Sequence, residues 1–344
     1  MRYRTLATTG TIVSNIALGT MGFGTETEEA EAFAILDRFI EADGNLIDTA
    51  NVYGAGASEE LLGRWFASRP AELTERVVLA TKARFGTGPD VNENGSSRRN
   101  LDRALTASLK RLGREKVDLY QLHGWDPLTP IEETLGFLDA AVHAGRINYI
   151  GLSNFTGWQM QLTLDTAKAM GLQVPVTLQP QYSLLVRDIE HEVVPAALDA
   201  GIGLLPWSPL GGGWLTGKYK RNTAPKGASR LGENPQRGME AWEARNADPR
   251  TWAVLDAVKA VAQAHEASAS QVALAWLLAR PAVTSVILGA RSVDQLQDNI
   301  GASDLRLSDD EITRLTEASA PRVDDYPYGA AGVEQRGRKI AGGR

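Results

Sequence analysis

Four residues of this 344-residue chain combine acid, base and charge in a way that could move a proton: Asp48, Tyr53, Lys82 and His123. Asp48 follows Asn45-Leu46-Ile47 and stands five residues before Tyr53. Lys82 closes Val77-Val78-Leu79-Ala80-Thr81, and His123 closes Val117-Asp118-Leu119-Tyr120-Gln121-Leu122. Each therefore lies at or just beyond the end of an apolar run that reads as a buried strand. A lysine taken out of water needs a carboxylate, and a phenol beside that lysine becomes a better acid. Singly the residues have plainer readings: a lysine snorkels, a tyrosine in a glycine-rich loop packs, and an aspartate before Thr49-Ala50 caps the next segment. At one end of neighbouring strands, the four together describe a pocket.

Such a pocket needs strands that run in one direction. From Ile16 onward, short apolar runs at 16–19, 46–49, 77–82, 117–123, 147–153, 177–182, 202–208 and 283–289 alternate with amphipathic stretches of helical length. The helical stretches are 27–42, 58–67, 98–112, 130–144, 158–170, 191–200, 270–278 and, after the eighth strand, 293–300. Eight parallel strands with eight return helices are the arithmetic of an α/β fold of the (β/α)8 or TIM barrel type, whose active site lies at the C-terminal ends of the strands. The competing doubly wound open sheet usually carries a glycine-rich dinucleotide fingerprint after its first strand. Gly19-Thr20-Met21-Gly22-Phe23-Gly24 lacks its spacing and its helix start.

The expectation is thus one barrel domain spanning 1–344. Segment 4–14 reads as an N-terminal β-hairpin that plugs the barrel mouth. A long loop after strand seven, 212–250, is rich in Gly, Pro, Asn and Arg and is expected to be functional. The polar, glycine-bearing tail 321–344 is expected to be partly disordered.

The chain has no cysteine, which excludes disulfides, thiolate metal sites and a Cys nucleophile and fits a reducing cytoplasm. A formal net charge of −6 argues against a nucleic-acid partner. Met1-Arg2-Tyr3-Arg4 leads into no apolar signal core, and no segment approaches a membrane span. His143, His191 and His265 form no spaced set with carboxylates, so no metal is expected. The expected partner is a small molecule.

Leu46-Ile47-Asp48-Thr49-Ala50 with Tyr53-Gly54 and Ser58-Glu59, then Thr81-Lys82, Asp118-Leu119-Tyr120-Gln121-Leu122-His123 and Gly151-Leu152-Ser153-Asn154-Phe155 resemble the aldo-keto reductase superfamily. The resemblance runs from the first hairpin to Asn299. His123-Gly124-Trp125-Asp126-Pro127, with Thr129-Pro130-Ile131-Glu132-Glu133-Thr134, is most similar to the branch that holds aryl-alcohol dehydrogenase-like reductases and potassium-channel β-subunits.

The resemblance places Asp48, Tyr53, Lys82 and His123 on the family's catalytic tetrad. It implies Tyr53 as general acid toward a carbonyl oxygen, Lys82 lowering the phenol's pKa, Asp48 pairing with Lys82, and His123 donating a hydrogen bond to the substrate oxygen. It also implies NADP(H) as cofactor and an aldehyde, ketone or alcohol as substrate.

Ser153, Asn154 and Gln179 match residues that hold the nicotinamide carboxamide, and Trp207 matches the aromatic that stacks on the ring. Thr20 and Met21 join this set beside Asp48. Ser208-Pro209-Leu210-Gly211-Gly212-Gly213 and Lys218 would line the pyrophosphate, a plain flexible loop being the other reading. Ser229-Arg230 matches a further phosphate contact. Gly289-Ala290-Arg291-Ser292, leading to Gln295, Asp298 and Asn299, resembles the adenosine-phosphate segment. Arg291 could fork onto a 2′-phosphate, while Gly289 stands where many relatives carry lysine.

Met21, Phe23, Trp125 and Trp214, with Tyr53 and His123, are the expected substrate lining, core packing being the other reading of the aromatics. Met21 stands where many members have tryptophan, and such a pocket suits hydrophobic or aromatic aldehydes. Two rival classes fit part of the pattern. One is an NADPH-binding regulatory or redox-sensing protein of the channel-subunit type with slow turnover. The other is a (β/α)8 isomerase or hydrolase, which requires neither Trp207 nor Arg291.

Overall fold

The computed structural model describes residues 1–227, 230–236, 240–323 and 325–329. Two short strands, β1 (Tyr3–Thr5) and β2 (Ile12–Ser14), pair antiparallel, with Tyr3 opposite Ser14. Eight parallel strands follow: β3 (Ile16–Gly19), β4 (Leu46–Asp48), β5 (Val78–Ala83), β6 (Val117–Leu122), β7 (Ile147–Ser153), β8 (Thr177–Gln179), β9 (Gly203–Leu204) and β10 (Val286–Leu288). Their spatial order is β10-β3-β4-β5-β6-β7-β8-β9. The ring closes where Leu204 N donates to Ala282 O at 2.7 Å and Thr284 N donates to Leu204 O at 2.8 Å. The result is a barrel.

The hairpin seals its N-terminal end. Leu6 and Val13 pack on the inward-facing Ala17, Leu46, Ala80, Leu119, Leu205 and Ile287. Asn45 ties the hairpin to the first turn of the barrel, accepting from Ser14 N at 2.7 Å and donating to Ile12 O at 2.9 Å.

Around the strands run α1 (Glu29–Glu41), α2 (Ala57–Ser68), α3 (Ala71–Thr74), α4 (Arg98–Leu112), α5 (Ile131–His143), α6 (Gly157–Met170), α7 (Val193–Ala200), α8 (Arg230–Glu233), α9 (Trp242–Ala247), α10 (Pro249–Ala264), α11 (Ala269–Leu278), α12 (Val293–Ile300) and α13 (Asp309–Ala318). Local chemistry sets their ends. Ser97 caps α4 by accepting from Asn100 N, and Gly113 ends it in the left-handed region. Thr156 with Gln159 and Ser268 with Gln271 form reciprocal capping boxes at α6 and α11.

Two parts of the sequence reading need correction. The predicted strand at 202–208 is regular over Gly203–Leu204 and keeps single ladder bonds beyond it, Leu205 N donating to Leu178 O at 2.9 Å and Trp207 N to Pro180 O at 2.9 Å, before Ser208 turns to φ 53°. The long connection after β9 also holds a helix of its own: α10 starts with Asp248 accepting from Arg250 N and Pro249 in the first turn. It packs against α11 and α13. The tail from 330 onward lies outside the described residues. No described helix is long and apolar enough to cross a membrane.

The α2–α4 contact carries a backbone approach that only glycine allows. A Cβ on Gly63 would run into the Arg111 carbonyl oxygen. Gly63→Ala should destabilise the fold by about 1–3 kcal/mol, the cost of forcing an extra methyl into a packed contact, despite alanine's better helix propensity. Urea unfolding checks this, and equal or greater stability would contradict it.

Candidate functional site

Parallel register brings the chemistry together. Asp48 ends β4 beside Ala80 of β5, Lys82 of β5 lies beside Gln121 of β6, and Ser153 of β7 lies beside Gln179 of β8. Inward-facing side chains at these strand ends converge on one point at the C-terminal end of the barrel.

That point is the Lys82 ammonium, which is fully buried. Its three N–H groups all have acceptors: Asp48 Oδ2 at 2.6 Å, Thr49 O at 2.8 Å and Tyr53 Oη at 3.2 Å. Asp48 Oδ1 accepts from Gln121 Nε2 at 3.0 Å and Gln179 Nε2 at 2.9 Å. Thr20, also buried, donates to Asp48 O at 3.1 Å and shares a hydrogen bond with Ser58 Oγ at 2.8 Å.

Tyr53 begins a single turn, Tyr53–Gly56, in which Gly54 (φ 57°) and Ala55 (φ 54°) are left-handed. This turn aims the phenol at Lys82, whose Nζ lies 4.8 Å from the ring centroid. The His123 ring meets Tyr53 edge-on at 5.8 Å and Phe85 at 4.7 Å. His123 N donates to Ala83 O at 2.9 Å, while its ring Nδ1 is buried with no partner among the described residues.

Burial alone would push Lys82 down, but Asp48 and Tyr53 reverse this and hold the ammonium above its ordinary pKa. Burial pushes the Tyr53 phenol up, and the downward pull of Lys82 does not overcome it. The lowering by Lys82 expected from the sequence is therefore present, and burial outweighs it. Burial, with the Lys82 and Arg84 charges, drives His123 down to about 3.

A hydrogen-bonded chain continues around the rim. Ser153 Oγ donates to Gln179 O at 3.0 Å, and Asn154 Nδ2 donates to His123 O at 3.0 Å. Trp207 Nε1 donates to Asn154 Oδ1 at 3.0 Å. Beyond it, Ser208, Gly211, Gly212 and Gly213 all have positive φ, between 53° and 96°, and lie with Pro209 and Leu210 in one tight turn. A Cβ on Gly213 would come 2.9 Å from Lys218 Nζ. A turn of this kind, with a lysine over it, could hold a phosphate.

Of the adenosine-phosphate candidates, Gly289 and Gln295 are exposed, Gln295 Oε1 accepts from Arg291 N at 3.0 Å, and Asn299 is buried. Arg291 is ion-paired with Glu26 at 2.6 Å and Glu233 at 3.3 Å. Asp298 turns to Ser268 Oγ at 2.8 Å and Gln271 Nε2 at 3.2 Å, where it supports the start of α11. Ser229 and the Arg230 side chain lie outside the described residues.

The proposed substrate lining divides. Met21 is 45% exposed, and Trp125 is half-buried, edge-on to Phe155 and Trp158 at 5.5 Å each. Phe23 and Trp214 are core residues instead. Trp214 stacks on Trp242 at 5.0 Å and donates to Glu240 O at 3.0 Å, which buries it within the insertion. Phe23 is buried in the main core.

Two residues of the site, Arg84 and Phe85, lie outside the sequence reading, and Gln121 and Glu59 enter it only inside motifs. Gln121 is two residues before His123 on β6, so strand alternation alone puts it on the same inward face. Arg84 and Phe85 follow β5 directly; their signal is only their proximity to Lys82. Glu59, noted only as part of a motif, is fully buried. It accepts from Thr81 Oγ1 at 2.6 Å and Arg111 Nε at 2.8 Å, fixing the residue next to Lys82.

Residues 15–320 match the Aldo/keto reductase family. The chain is similar to the "Uncharacterized oxidoreductase YrpG" of Bacillus subtilis, with 39% identity over 92% of this chain and 94% of that one. It is similar also to norsolorinic acid reductase B of Dothistroma septosporum, at 31% identity over 95% and 84%. A third relative is the "Probable voltage-gated potassium channel subunit beta" of Arabidopsis thaliana, at 31% identity over 95% and 100%. An eight-stranded parallel barrel sealed by an N-terminal hairpin, matched to the family over 15–320, makes this chain a member of the aldo/keto reductase family of oxidoreductases.

Proposed function

We propose that the protein reduces aldehydes or ketones to alcohols, or runs the reverse reaction, with NADP(H) as cofactor and Tyr53 as general acid. The observation that carries this reading is the buried Lys82 ammonium, which spends one of its three hydrogen bonds on the Tyr53 oxygen. NADPH supplies the hydride when bound. Ser153, Asn154 and Gln179 would take its carboxamide and Trp207 its ring face. The left-handed turn with Ser208, Gly211 and Lys218 has the glycine cradle that a pyrophosphate needs.

Burial keeps the Tyr53 phenol protonated, so the proton is present when a carbonyl oxygen arrives. As the carbonyl carbon gains hydride, the oxygen takes the Tyr53 proton, and the phenolate left behind faces the Lys82 ammonium at 3.2 Å. Lys82 thus acts on the product side of the proton transfer, and solvent returns the proton. His123 is neutral and has one N–H. With Nδ1 buried beside no acceptor, that proton belongs on Nε2, where it can donate to the substrate oxygen. A cysteine-free chain suits a reducing compartment, and we assign it to the cytoplasm.

Steady-state oxidation of NADPH by 4-nitrobenzaldehyde tests the reading. Tyr53→Phe should lower kcat by about 10²–10⁴-fold, the usual worth of a general acid, while NADPH still quenches tryptophan fluorescence. Retained turnover would remove Tyr53 from the chemistry.

Arg291 tests the cofactor. It is ion-paired with Glu26 and Glu233, and we propose that a 2′-phosphate displaces those carboxylates. Arg291→Gln should weaken NADPH binding by about tenfold or more and NADH much less, read by fluorescence titration. Equal losses for the two cofactors would contradict this role.

The depressed His123 pKa also predicts a pH dependence of stability. The folded ring takes a proton near 3 and the unfolded ring near 6.5, so the unfolded chain binds more protons between those values. The His123 contribution is full above 6.5 and is lost as pH falls toward 3. Urea unfolding across this range should show wild type losing a few kcal/mol more than His123→Gln. Parallel curves would mean that His123 is not held neutral.

A further inference from the structure

We infer that Arg84 is an anion-recognition residue of the same pocket, so that the preferred carbonyl substrates carry a carboxylate or a comparable anionic group away from the reacting carbon. The inference rests on the reductase reading and names its substrate class.

Arg84 follows the last residue of β5 and is two residues beyond Lys82, at the end of the barrel where the site lies. Its φ is 144°, a region that residues with a Cβ avoid. The distortion is held from both sides: Gly95 N donates to Arg84 O at 2.8 Å, and His123 N donates to the preceding carbonyl, Ala83 O, at 2.9 Å. From this backbone the guanidinium lies over the Phe85 ring at 5.0 Å, and Phe85 in turn meets the His123 ring at 4.7 Å. Arginine, one partly exposed aromatic ring and the histidine therefore form a continuous row at the site.

Among the described residues no acceptor meets the guanidinium. Its Nε is buried without a hydrogen-bond partner, and among the described residues it makes no ion pair. Arg111 and Arg187, by contrast, are paired to Glu59 and Glu190 at 2.7 and 2.8 Å. Asp126 feels the Arg84 charge but accepts instead from Ser96 N at 2.7 Å, Thr129 Oγ1 at 2.7 Å and Leu128 N at 3.0 Å. Deeper in the site Asp48 pairs with Lys82 and His123 is neutral, so Asp126 is the carboxylate that feels the Arg84 charge, and it does so without a direct ion pair. A buried guanidinium N–H without an acceptor is costly, and a carboxylate relieves it with the planar, two-pronged geometry that arginine favours. Phe85 touches both Arg84 and His123, so an aromatic surface and a guanidinium border the pocket together. An aromatic aldehyde that carries a carboxylate suits such a border.

The test compares 4-carboxybenzaldehyde with methyl 4-formylbenzoate, which differ in charge and little in shape. The kcat/KM ratio of acid to ester should fall about tenfold or more in Arg84→Met, mainly through KM for the acid, and Arg84→Lys should restore part of it. Terephthalate, followed by calorimetry, probes the anion site without turnover, and its Kd should rise about tenfold or more in Arg84→Met. An unchanged ratio together with an unchanged terephthalate Kd would overturn the anion site. Terephthalate binding that depends on Arg84, in a wild-type protein that reduces neither aldehyde, would support the anion site and overturn the reductase reading instead.

Discussion

A charged lysine with no exposure to water is the constraint around which this molecule is arranged. An isolated ammonium in that position would lose its proton, and an isolated carboxylate would gain one; only side by side, with their remaining hydrogen bonds met, do both stay as they are. The barrel brings them side by side. Asp48 at the end of β4 and Lys82 one residue before the end of β5 lie on neighbouring strands in a register that sets their side chains 2.6 Å apart. The rest of the site is built outward from that contact: Gln121 and Gln179 occupy the second carboxylate oxygen, Thr49 O takes one ammonium proton, and Tyr53 takes the last. The phenol is thus held as a by-product of solving a solvation problem.

Burial outweighs the nearby ammonium in setting the Tyr53 pKa, so the phenol rests as an acid. In the proposed reaction the lysine matters most once the proton has left. His123 follows the same logic in reverse: burial and two neighbouring cations keep it neutral, and a neutral imidazole can donate without adding a second buried charge. Three titratable groups in one small space each keep the form their neighbours demand.

Much of this was legible in the sequence, and the reasons differ by residue. The helix at 98–112 could be bounded because Ser97 and Gly113 are its cap and its stop, and the strand at 147–153 because Ile147, Tyr149, Ile150 and Leu152 give it its apolar content. The four strand-end residues stood out because polar groups closing apolar runs are conspicuous. Gln121 did not, since an uncharged polar residue inside a buried run looks like ladder interior. Arg84 was illegible for another reason: its direction comes from a backbone angle fixed by Gly95 and His123, and neither contact has a local signature. Trp214 misled because its neighbours are glycines, while the ring that buries it, Trp242, is remote in sequence. The helix α10 was hidden by the loop-like composition that precedes it.

The claim that one buried ion pair organises the site is tested most directly by a double-mutant cycle on stability, with Asp48→Asn, Lys82→Met and the double variant unfolded in urea. Each single change should cost about 3–5 kcal/mol by stranding a buried partner, and the double should cost far less than their sum. Additive losses would contradict the account, because they would mean that Asp48 and Lys82 contribute to the barrel independently.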